Sequence, residues 1–422
     1  MIKNYLKTAF RNLQRNKSYA IINIFGLAVG VAACLLIFLV IRFETSFDTF
    51  HKNRKATYRL ISEFHTQDGI SYSSGVPFPV APALRLDYPQ LRQVACIFEQ
   101  EDMQITIPGD QANQRKKLNE KKIFFAEPEF FNVFDFAWLS GDPKTSLSEP
   151  NSVVLTQQTA VKYFTDWKTA IGKTITYDNK YSYKVTGILK DLPVNTDFPI
   201  NVVISYATLK NTEIKRNLND WVSTFSDAYT FVVLPTEITP TRFKSDLASF
   251  TKKHKPSEYA KDGIILQPLN EIHYDSRTGN YNHTFSKQLI STLFIIGIFL
   301  VVIACVNFVN LATAQAINRS KEVGVRKVLG SNRTKLFFQF ISETAIITTF
   351  AILLAVGVAA FVLPFLNTLL ETEMQWNFLR DPFLISFLLL LGLVITVLSG
   401  TYPAIILSGF NPINALKNKI SA

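Results

Sequence analysis

The stretch SYAIINIFGLAVGVAACLLIFLVI, from Ser18 to Ile41, contains no charged side chain. The hydrocarbon core of a bilayer is about 30 Å thick, and a helix needs roughly 20 apolar residues to cross it. This length of uncharged chain therefore predicts a first transmembrane helix over residues 19–42. Three further stretches of the same kind predict transmembrane helices over 289–317, 344–366 and 382–408.

A long segment with the composition of a soluble protein, residues 43–287, separates the first span from the other three. Apolar alternation on both sides of DNK in 173–189 predicts a hairpin. The stretch 239–254, with a proline near its start, predicts a helix, and Thr156 is expected to cap another. We therefore predict a membrane protein with four transmembrane α-helices and a large external α+β domain, in two lobes, between helices 1 and 2.

Lysine and arginine collect beside the predicted spans. They are Lys3, Lys7, Arg11, Arg15 and Lys17 before the first span, six residues between Arg319 and Lys335, and Lys417 and Lys419 at the end. Cytoplasmic loops carry such an excess, so we predict that both termini and the segment 318–343 are cytoplasmic and that the large domain is periplasmic. The net charge of +11 is then mostly a topology signal. Nucleic-acid binding is the weaker reading, because the charge lies at span ends rather than on one domain face.

Residues 1–18 are predicted to form a cytoplasmic, interfacial amphipathic helix. Its apolar side would be formed by Ile2, Leu6, Ala9 and Leu13. Basic residues recur every four positions beside that side, as expected for a helix lying on a membrane surface. A frayed basic tail is the alternative.

The chain has three cysteines, of which only Cys96 lies in the external domain, so a disulfide framework within that domain is excluded. The sequence VAAC, Val31–Cys34, resembles a lipoprotein cleavage box after a basic flank and an apolar run. The apolar sequence LLIFLVI continues directly after Cys34, however, which favours a retained transmembrane helix.

Two features of the spans indicate helix packing. Gly26 and Gly30 are four residues apart in the first span, and small residues at that spacing let helices approach closely in lipid. Asn307 and Asn310 lie in the second span, where amides usually bond to a neighbouring helix. The alternatives are a chance glycine spacing and a substrate path lined by the amides.

The sequence predicts no catalytic residue, no metal site and no cofactor site. The motif Gly172-Lys173-Thr174 has Trp167 where a phosphate loop needs a glycine, and a predicted strand follows where a helix should begin. The five histidines match no ligand spacing, so surface positions are expected for them. These are His51, His65, His254, His273 and His283.

The segment between the second and third spans, RSKEVGVRKVLGSNRTK from Arg319 to Lys335, is basic but also contains an apolar strip. If 319–329 is helical, Val325, Val328 and Leu329 share one side. Gly330 suits the position just past a helix end. One interpretation is a cytoplasmic loop whose basic residues only follow the excess of lysine and arginine in such loops. That explains the charge but not the apolar strip. The other interpretation is contact with a partner protein.

The order of several segments resembles one family, the permease subunits of MacB-like ABC transporters, which include FtsX-like and LolC/LolE-like proteins. LKTAFRNLQRNKSYAIINIFGLAVGVA is similar to the family's entry helix and first span. FFNVFDFAWLSGDP, NSVVLTQQTAVKYF, IGKTI and YKVTGILKDLPVNTDF are similar to its periplasmic core domain. RSKEVGVRKVLGSNRTKLFFQFISE and GTYPAIILSGFNPINALK resemble its cytoplasmic segment and its ending. Nearly the whole chain is covered, with 288–422 as the FtsX-like permease domain.

The resemblance implies an inner-membrane subunit that works as a dimer, with a second copy or a paralogue, on two cytoplasmic ABC ATPase subunits. ATP and magnesium would be bound by those subunits and not by this chain. The family's ATPase-contacting region carries over onto Arg319, Lys321, Glu322, Gly324, Val325, Arg326, Lys327, Val328, Leu329 and Gly330. MacB itself carries a fused ATPase domain before its entry helix, whereas this sequence begins at that helix, so a separate ATPase is expected.

Two kinds of function remain open within the family. In the first, the permease moves its periplasmic domain and drives export of a peptide, drug or lipoprotein, in some members through a periplasmic adaptor and an outer-membrane duct. In the second, an FtsX-like regulator transports nothing and activates a periplasmic partner such as a cell-wall hydrolase. A domain of this size favours the first, because a regulator needs only a small docking domain.

Overall fold

The computed structural model describes residues 10–108, 115–177, 180–259, 261–375 and 380–409, with the backbone alone at 102, 115 and 316–322. The chain divides into two compact units. The membrane unit contains the residues up to Thr45 and from Gln288 onward, and the external domain is Ser46–Lys287. Predicted features at residues 1–9, at the hairpin tip 178–179 and at the basic residues Lys417 and Lys419 lie outside the described residues.

The elements follow the chain in this order. The helices are α1 Lys17–Glu44, α2 Val80–Asp87, α3 Phe130–Val133, α4 Gln157–Phe164, α5 Pro240–His254, α6 Leu269–Ile272, α7 Lys287–Val328, α8 Arg333–Leu370 and α9 Pro382–Gly409. The strands are β1 Thr57–Thr66, β2 Gly69–Ser73, β3 Val94–Pro108, β4 Arg115–Ala126, β5 Trp138–Ser140, β6 Ser152–Thr156, β7 Thr174–Tyr177, β8 Tyr181–Leu189, β9 Val202–Ser205, β10 Ala228–Val233 and β11 Gly263–Pro268. Short 3₁₀ turns connect several of them.

Four helices of the described chain are long and apolar enough to cross a membrane. They are α1, the part of α7 up to Gln315, α8 and α9. Each predicted span falls in one of these helices. The structure differs from the prediction in the middle, because α7 continues well past residue 317 and α8 begins well before residue 344. The helix α1 runs through Cys34 without interruption to Glu44.

Small side chains form the centre of the membrane unit. The helix α8 lies against both α1 and α9, and Ala351, Ala355 and Ala359 on its inner side have no exposed surface. Lipid is as apolar as a leucine side chain, so helices in a membrane associate by close packing rather than by the hydrophobic effect. A row of alanines lets the neighbouring backbones approach, and this explains the choice of residues on α8.

The strands of the external domain form one mixed sheet in the order β11-β1-β10-β3-β4-β9-β6-β8-β5. The strand β2 pairs with β1, and β7 pairs with both β3 and β8. The pairs β4–β9 and β6–β8 are parallel and the other pairs are antiparallel. The predicted α+β class is thereby confirmed, and the two lobes of the prediction share this sheet.

Local sequence signals placed several of these elements correctly. The helix α5 begins at Pro240 under a Thr239 cap and buries Phe243, Leu247 and Phe250. Thr156 caps α4 by accepting a hydrogen bond from the Thr159 N–H at 3.4 Å. Such capping satisfies an amide that has no partner inside the helix.

The long hairpin of β3 and β4 is an element that we did not predict. Its strands have 15 and 12 residues and pair from Ile97–Ala126 out to Pro108–Arg115. The outer part of β4 reads RKKLNEKK and has no apolar alternation. Its pairing depends on β3 beside it, so the sequence of β4 alone carries little strand signal.

Three apolar clusters hold the external domain together. The first packs α4 on β6, β8 and β9, and the third packs α2 and α5 on β1, β10 and β11. The second lies on the opposite face of the sheet, because neighbouring residues of β4 and β9 alternate between the first and the second cluster. It is rich in phenylalanine and includes Phe130, Phe134, Phe198 and Phe231. Rings in edge-on and tilted contact stabilise a core beyond the area they bury.

Glu99 on β3 is a buried acid in this domain. It is 6% exposed, its Oε1 has no hydrogen-bond partner among the described residues, and the Lys122 Nζ lies 3.9 Å away. Burial raises the pKa of Glu99 to about 7, opposed by the Lys122 charge and assisted by Asp227 and Glu101. The folded state therefore holds this proton more tightly than the unfolded chain, whose glutamate pKa is about 4.3.

We predict that Glu99→Gln stabilises the protein more at pH 8 than at pH 5. A raised folded-state pKa gives stability that is present below the unfolded pKa and is lost as the pH rises through about 7. Removing the charge should recover about 1–2 kcal/mol at pH 8, which is a rise in Tm of a few degrees. Thermal unfolding of the full chain in detergent measures this, with the exposed Glu213→Gln as control. An equal effect of both substitutions at both pH values would contradict the account of Glu99.

Candidate coupling site at the α7–α8 turn

The helix α7 continues beyond its membrane-crossing part and ends in a defined turn. The N–H of Ser331 donates to the Arg326 carbonyl at 3.0 Å, and the N–H of Gly330 donates to the Lys327 carbonyl at 3.1 Å. Gly330 has φ +96, the left-handed conformation that favours glycine. This pair of bonds is the Schellman ending, which satisfies the last carbonyls of a helix.

The next helix begins almost at once. The Asn332 side chain caps α8 by accepting a hydrogen bond from the Lys335 N–H at 2.9 Å. The segment 318–343 therefore consists of the ends of two helices joined by a four-residue turn at 329–332. The helix considered for 319–329 is present, and Gly330 lies just past its end, as the sequence indicated. The physical reason is that a glycine ending and an asparagine cap stand next to each other, so neither helix frays into a loop.

One side of this turn is packed against the membrane unit. Val323 is 2% exposed and forms a small apolar cluster with Leu336, Phe340, Ala404 and Leu407. The cluster joins α7, α8 and α9, so the turn is fixed to three helices. Val323 is a residue that our sequence reasoning missed, although it precedes the predicted strip by only two positions.

The opposite side of the turn is apolar and exposed. Val325 is 48%, Val328 is 68% and Leu329 is 80% exposed. Single exposed apolar residues are ordinary on protein surfaces, but three adjacent ones on a rigid turn form a patch of the kind that marks an interaction site. These are the three residues that the sequence predicted to share one side.

Charged residues accompany the apolar strip. Arg326 and Lys327 lie within it along the chain, and partial burial together with the Arg333 charge lowers the pKa of Lys327. Gly324 is buried. The helical backbone of α7 includes Arg319, Lys321 and Glu322, but their side chains lie outside the described residues. The geometry thus brings together seven of the ten residues predicted to contact a partner, from Gly324 to Gly330.

A buried acid connects the start of the chain to α8. The Asn12 Nδ2 donates to the Glu343 Oε1 at 2.8 Å, and the Gln339 Nε2 donates to the same oxygen at 3.4 Å. Residues 10–15 are helical and Asn16 breaks the helix before α1. A buried carboxylate is costly unless its oxygens accept hydrogen bonds, so this contact fixes the entry helix at Asn12.

The two glycines of α1 lie against the second span. A Cβ atom at Gly30 would stand 2.8 Å from the Ala304 Cβ, and one at Gly26 would stand 3.2 Å from the Asn307 Nδ2. Such distances leave no room for a larger side chain at Gly30. Asn307 and Asn310 are more than a third exposed on α7 in the single chain, so their predicted role in helix packing stays a prediction.

The structure corrects the histidine prediction at two positions. His51 and His273 are each 2% exposed in the external domain, whereas we expected surface positions. His273 bonds to Asp197 at 2.9 Å and stacks on Phe47 with ring centroids 3.7 Å apart. Polar partners far away in sequence make this burial possible, and no local motif predicts them. The strand β7 begins at Thr174 directly after Gly172-Lys173, as we predicted.

Four spans with a large α+β domain after the first define a multi-pass permease architecture. Residues 20–250 match the family described as MacB-like periplasmic core domain, and residues 294–412 match the FtsX-like permease C-terminal family. The chain belongs to the MacB/FtsX-like family of ABC transporter permeases, and its large domain is periplasmic in type.

Individual relatives are distant. The chain is 23% identical over 302 residues to the macrolide export ATP-binding/permease protein MacB of Haemophilus ducreyi, covering 69% of this chain and 39% of that protein. It is 23% identical over 256 residues to MacB of Campylobacter jejuni, covering 59% and 36%. The chain thus spans less than half the length of these relatives. A solved domain of a Porphyromonas gingivalis protein described as a permease aligns with a TM-score of 0.45 and 16% identity, over 58% of this chain and 98% of that one.

We predict that Gly30→Leu destabilises the membrane unit, because the new side chain must displace Ala304. Overpacking of this kind costs about 1–3 kcal/mol. The matched control is Gly357→Leu, since a Cβ atom at Gly357 meets nothing within 4 Å. Thermal unfolding in detergent should give a Tm several degrees lower for Gly30→Leu than for the control. Equal Tm values would contradict the close approach at Gly30.

Proposed function

We propose that this chain is a permease subunit that transmits motion from a separate cytoplasmic ATPase to its periplasmic domain. The ATPase binds ATP and magnesium, and this chain supplies no catalytic residue. Movement of the periplasmic domain drives export or efflux of a periplasmic or membrane substrate. The observation that carries the proposal is the exposed apolar strip of Val325, Val328 and Leu329 on a capped, firmly packed turn.

The strip suits a contact that transmits force for two reasons. Its own helix is continuous with a membrane-crossing helix, since α7 runs from Lys287 to Val328 without interruption. The turn behind it is fixed by Val323 and Leu336. A displacement applied at the strip therefore moves α7 along its length instead of bending a loop.

The charge distribution supports an orientation with both termini on the cytoplasmic side of the inner membrane. Arg326, Lys327, Arg333 and Lys335 surround the α7–α8 turn, whereas Glu371, Glu373 and Asp381 dominate the other end of α8 and the start of α9. Positive residues stay inside. The turn is then cytoplasmic, where an ATPase can reach it.

One face of α7 supports a second permease copy or a paralogue as a further partner. Phe299 and Ile303 are each about 60% exposed, and Asn307 and Asn310 are exposed further along the same side of the helix. Amides facing lipid are costly. A second subunit that covers this face would remove the cost and complete a dimer on an ATPase pair.

The class of substrate follows from the relatives only in outline. Two of them are named for macrolide export, and we propose an exported peptide, drug or lipoprotein for this chain. The size of the domain Ser46–Lys287 favours export over the regulation of a cell-wall hydrolase. Two assays on cells with and without the chain would separate the two functions. Loss of growth in the presence of macrolides when the chain is removed would support export. Loss of cell-wall hydrolase activation when the chain is removed would support regulation.

We predict that Val325→Asp combined with Leu329→Asp lowers association with the ATPase at least tenfold, because two charges replace the centre of an apolar contact. A tenfold loss corresponds to about 1.4 kcal/mol, which is modest for two central interface residues. The measurement is co-purification from lipid nanodiscs with a tagged, separately expressed MacB-type ATPase subunit, followed by ATP hydrolysis.

The matched control places the same changes on the external domain, at Ile70→Asp and Leu86→Asp. These residues are 54% and 83% exposed, so the chemistry and the solvent exposure are comparable. The control should bind the ATPase as the wild type does. If the variant at the turn binds as well as the control, the turn does not contact the ATPase.

A further inference from the structure

Two segments join the external domain to its flanking helices. The outgoing segment, residues 46–54, follows α1, and the incoming segment, residues 273–286, precedes α7. They are separated by more than 200 positions of sequence. Any motion carried by the helices has to enter the domain through these two segments. The contacts that hold the two segments therefore decide how such motion reaches the domain.

A short turn between β8 and β9 touches the outgoing segment with both its side chains and its backbone. The Asn195 Nδ2 donates to the Ser46 carbonyl at 3.0 Å and to its Oγ at 2.8 Å. The Thr196 Oγ1 donates to the Asp48 Oδ1 at 2.5 Å, and the Asp197 N–H donates to the Asp48 Oδ2 at 3.0 Å. Three consecutive residues thus hold the start of the domain.

Two of these three residues, Thr196 and Asp197, also touch the incoming segment. The Asn282 Nδ2 donates to the Thr196 carbonyl at 2.9 Å. The Asp197 Oδ1 accepts from the Asn280 Nδ2 at 2.9 Å and lies 2.9 Å from the His273 Nδ1. Asp197 therefore bonds to the outgoing segment through its N–H and to the incoming segment through its carboxylate.

These contacts are shielded from water. Asp48 is 4%, Asp197 2% and His273 2% exposed. Hydrogen bonds in such surroundings are strong, and leaving one partner unmatched is costly. The neighbouring Phe198 is 1% exposed in the second apolar cluster and anchors the turn to the domain core.

The incoming segment is also fixed to the sheet, so it cannot slide past the turn. The Tyr281 hydroxyl donates to the Asp227 carbonyl at 2.8 Å, and its ring stacks on Tyr229 at 3.9 Å. The Arg59 guanidinium, which has no exposed surface, donates to the Gly279 carbonyl at 3.0 Å. The two segments, the turn and the sheet are one bonded assembly.

We propose that Asn195, Thr196 and Asp197 form a clasp that locks the outgoing and incoming segments together, so that both move as one body when the domain is driven. The clasp residues are positioning residues and touch no substrate. That the clasp holds the two segments together is argued from the contacts alone. That it helps to transmit motion rests on the proposed function. No sequence motif assigns this role, because the clasp and its five partners come from three distant parts of the chain.

The test measures the distance between the two segments in the full chain. Spin labels are placed at Lys52→Cys and Ser276→Cys, two exposed positions, after replacement of the three native cysteines. Pulsed electron–electron double resonance in nanodiscs, without any ATPase, should give one narrow distribution of distances between the two labels. The variant Asn195→Ala with Asp197→Ala should at least double its width, and Asp197→Asn, which keeps the acceptor oxygen, should leave it closer to the wild type.

The control for a general loss of stability is Asp220→Ala, which removes a carboxylate bonded to Ser223 and Val222 in another loop of the same domain. It should leave the distribution narrow. If the double variant does not fold, Asn195→Ala alone cuts the outgoing side and is judged by the same criterion. A wild-type distribution that is already broad, or a clasp variant as narrow as the control, would overturn the proposal.

A second stage adds the MacB-type ATPase and ATP with vanadate to the wild type. The mean distance between the labels should not shift, since the clasp keeps the two segments together. A shift would overturn the one-body proposal. If the ATPase does not bind or hydrolyse ATP with this chain, the proposed function fails, and the first stage still decides whether the clasp exists.

Discussion

The rest of the structure depends on the exclusion of water and charge from the hydrocarbon core. Backbone groups find no partner in lipid, so a chain that crosses it must form a helix. The uncharged runs therefore become α1, α7, α8 and α9, and the basic residues beside them predict which ends are cytoplasmic. Once the crossings are set, residues 46–287 have to fold on one side of the membrane and the α7–α8 turn on the other.

The α7–α8 turn and the segments that connect the external domain to α1 and α7 have one feature in common, since each is held by several contacts. At the turn, a Schellman ending at Gly330 is followed directly by the Asn332 cap, and Val323 fixes the result to three helices. In the external domain, Asp197 and its neighbours hold both connecting segments to a single sheet. The proposed transmission of motion needs well-held parts where force enters and leaves, and the α7–α8 turn and the two connecting segments are each held by several contacts.

Sequence reasoning predicted the elements whose signals are local. Long uncharged runs gave the spans, Thr156 and Pro240 marked helix starts, and the alternation of 173–189 gave the hairpin of β7 and β8. The strip of Val325, Val328 and Leu329 followed from helical spacing alone. The family resemblance was confirmed by matches to both of its domains.

What the sequence could not supply depends on distant partners. The basic strand β4 has no strand signal without β3, and Val323 cannot be assigned to the packed side until Leu336 and Leu407 are placed. His51 and His273 look like surface residues, and only Asp135 and Asp197 explain their burial. The helix end at Gly330 followed from the sequence, whereas the Asn332 cap of α8 was not predicted.

The most direct measurement is the distance between the external domains of two copies in the proposed dimer, with one spin label per chain at the exposed Lys117→Cys in a variant without native cysteines. If motion passes from the α7–α8 turn to the periplasmic side, binding of ATP to the partner ATPase should shift this distance. The shift should be absent when Val325 and Leu329 are both aspartate. An unchanged distance in the wild type, with the ATPase bound and hydrolysing ATP, would contradict transmission through this chain.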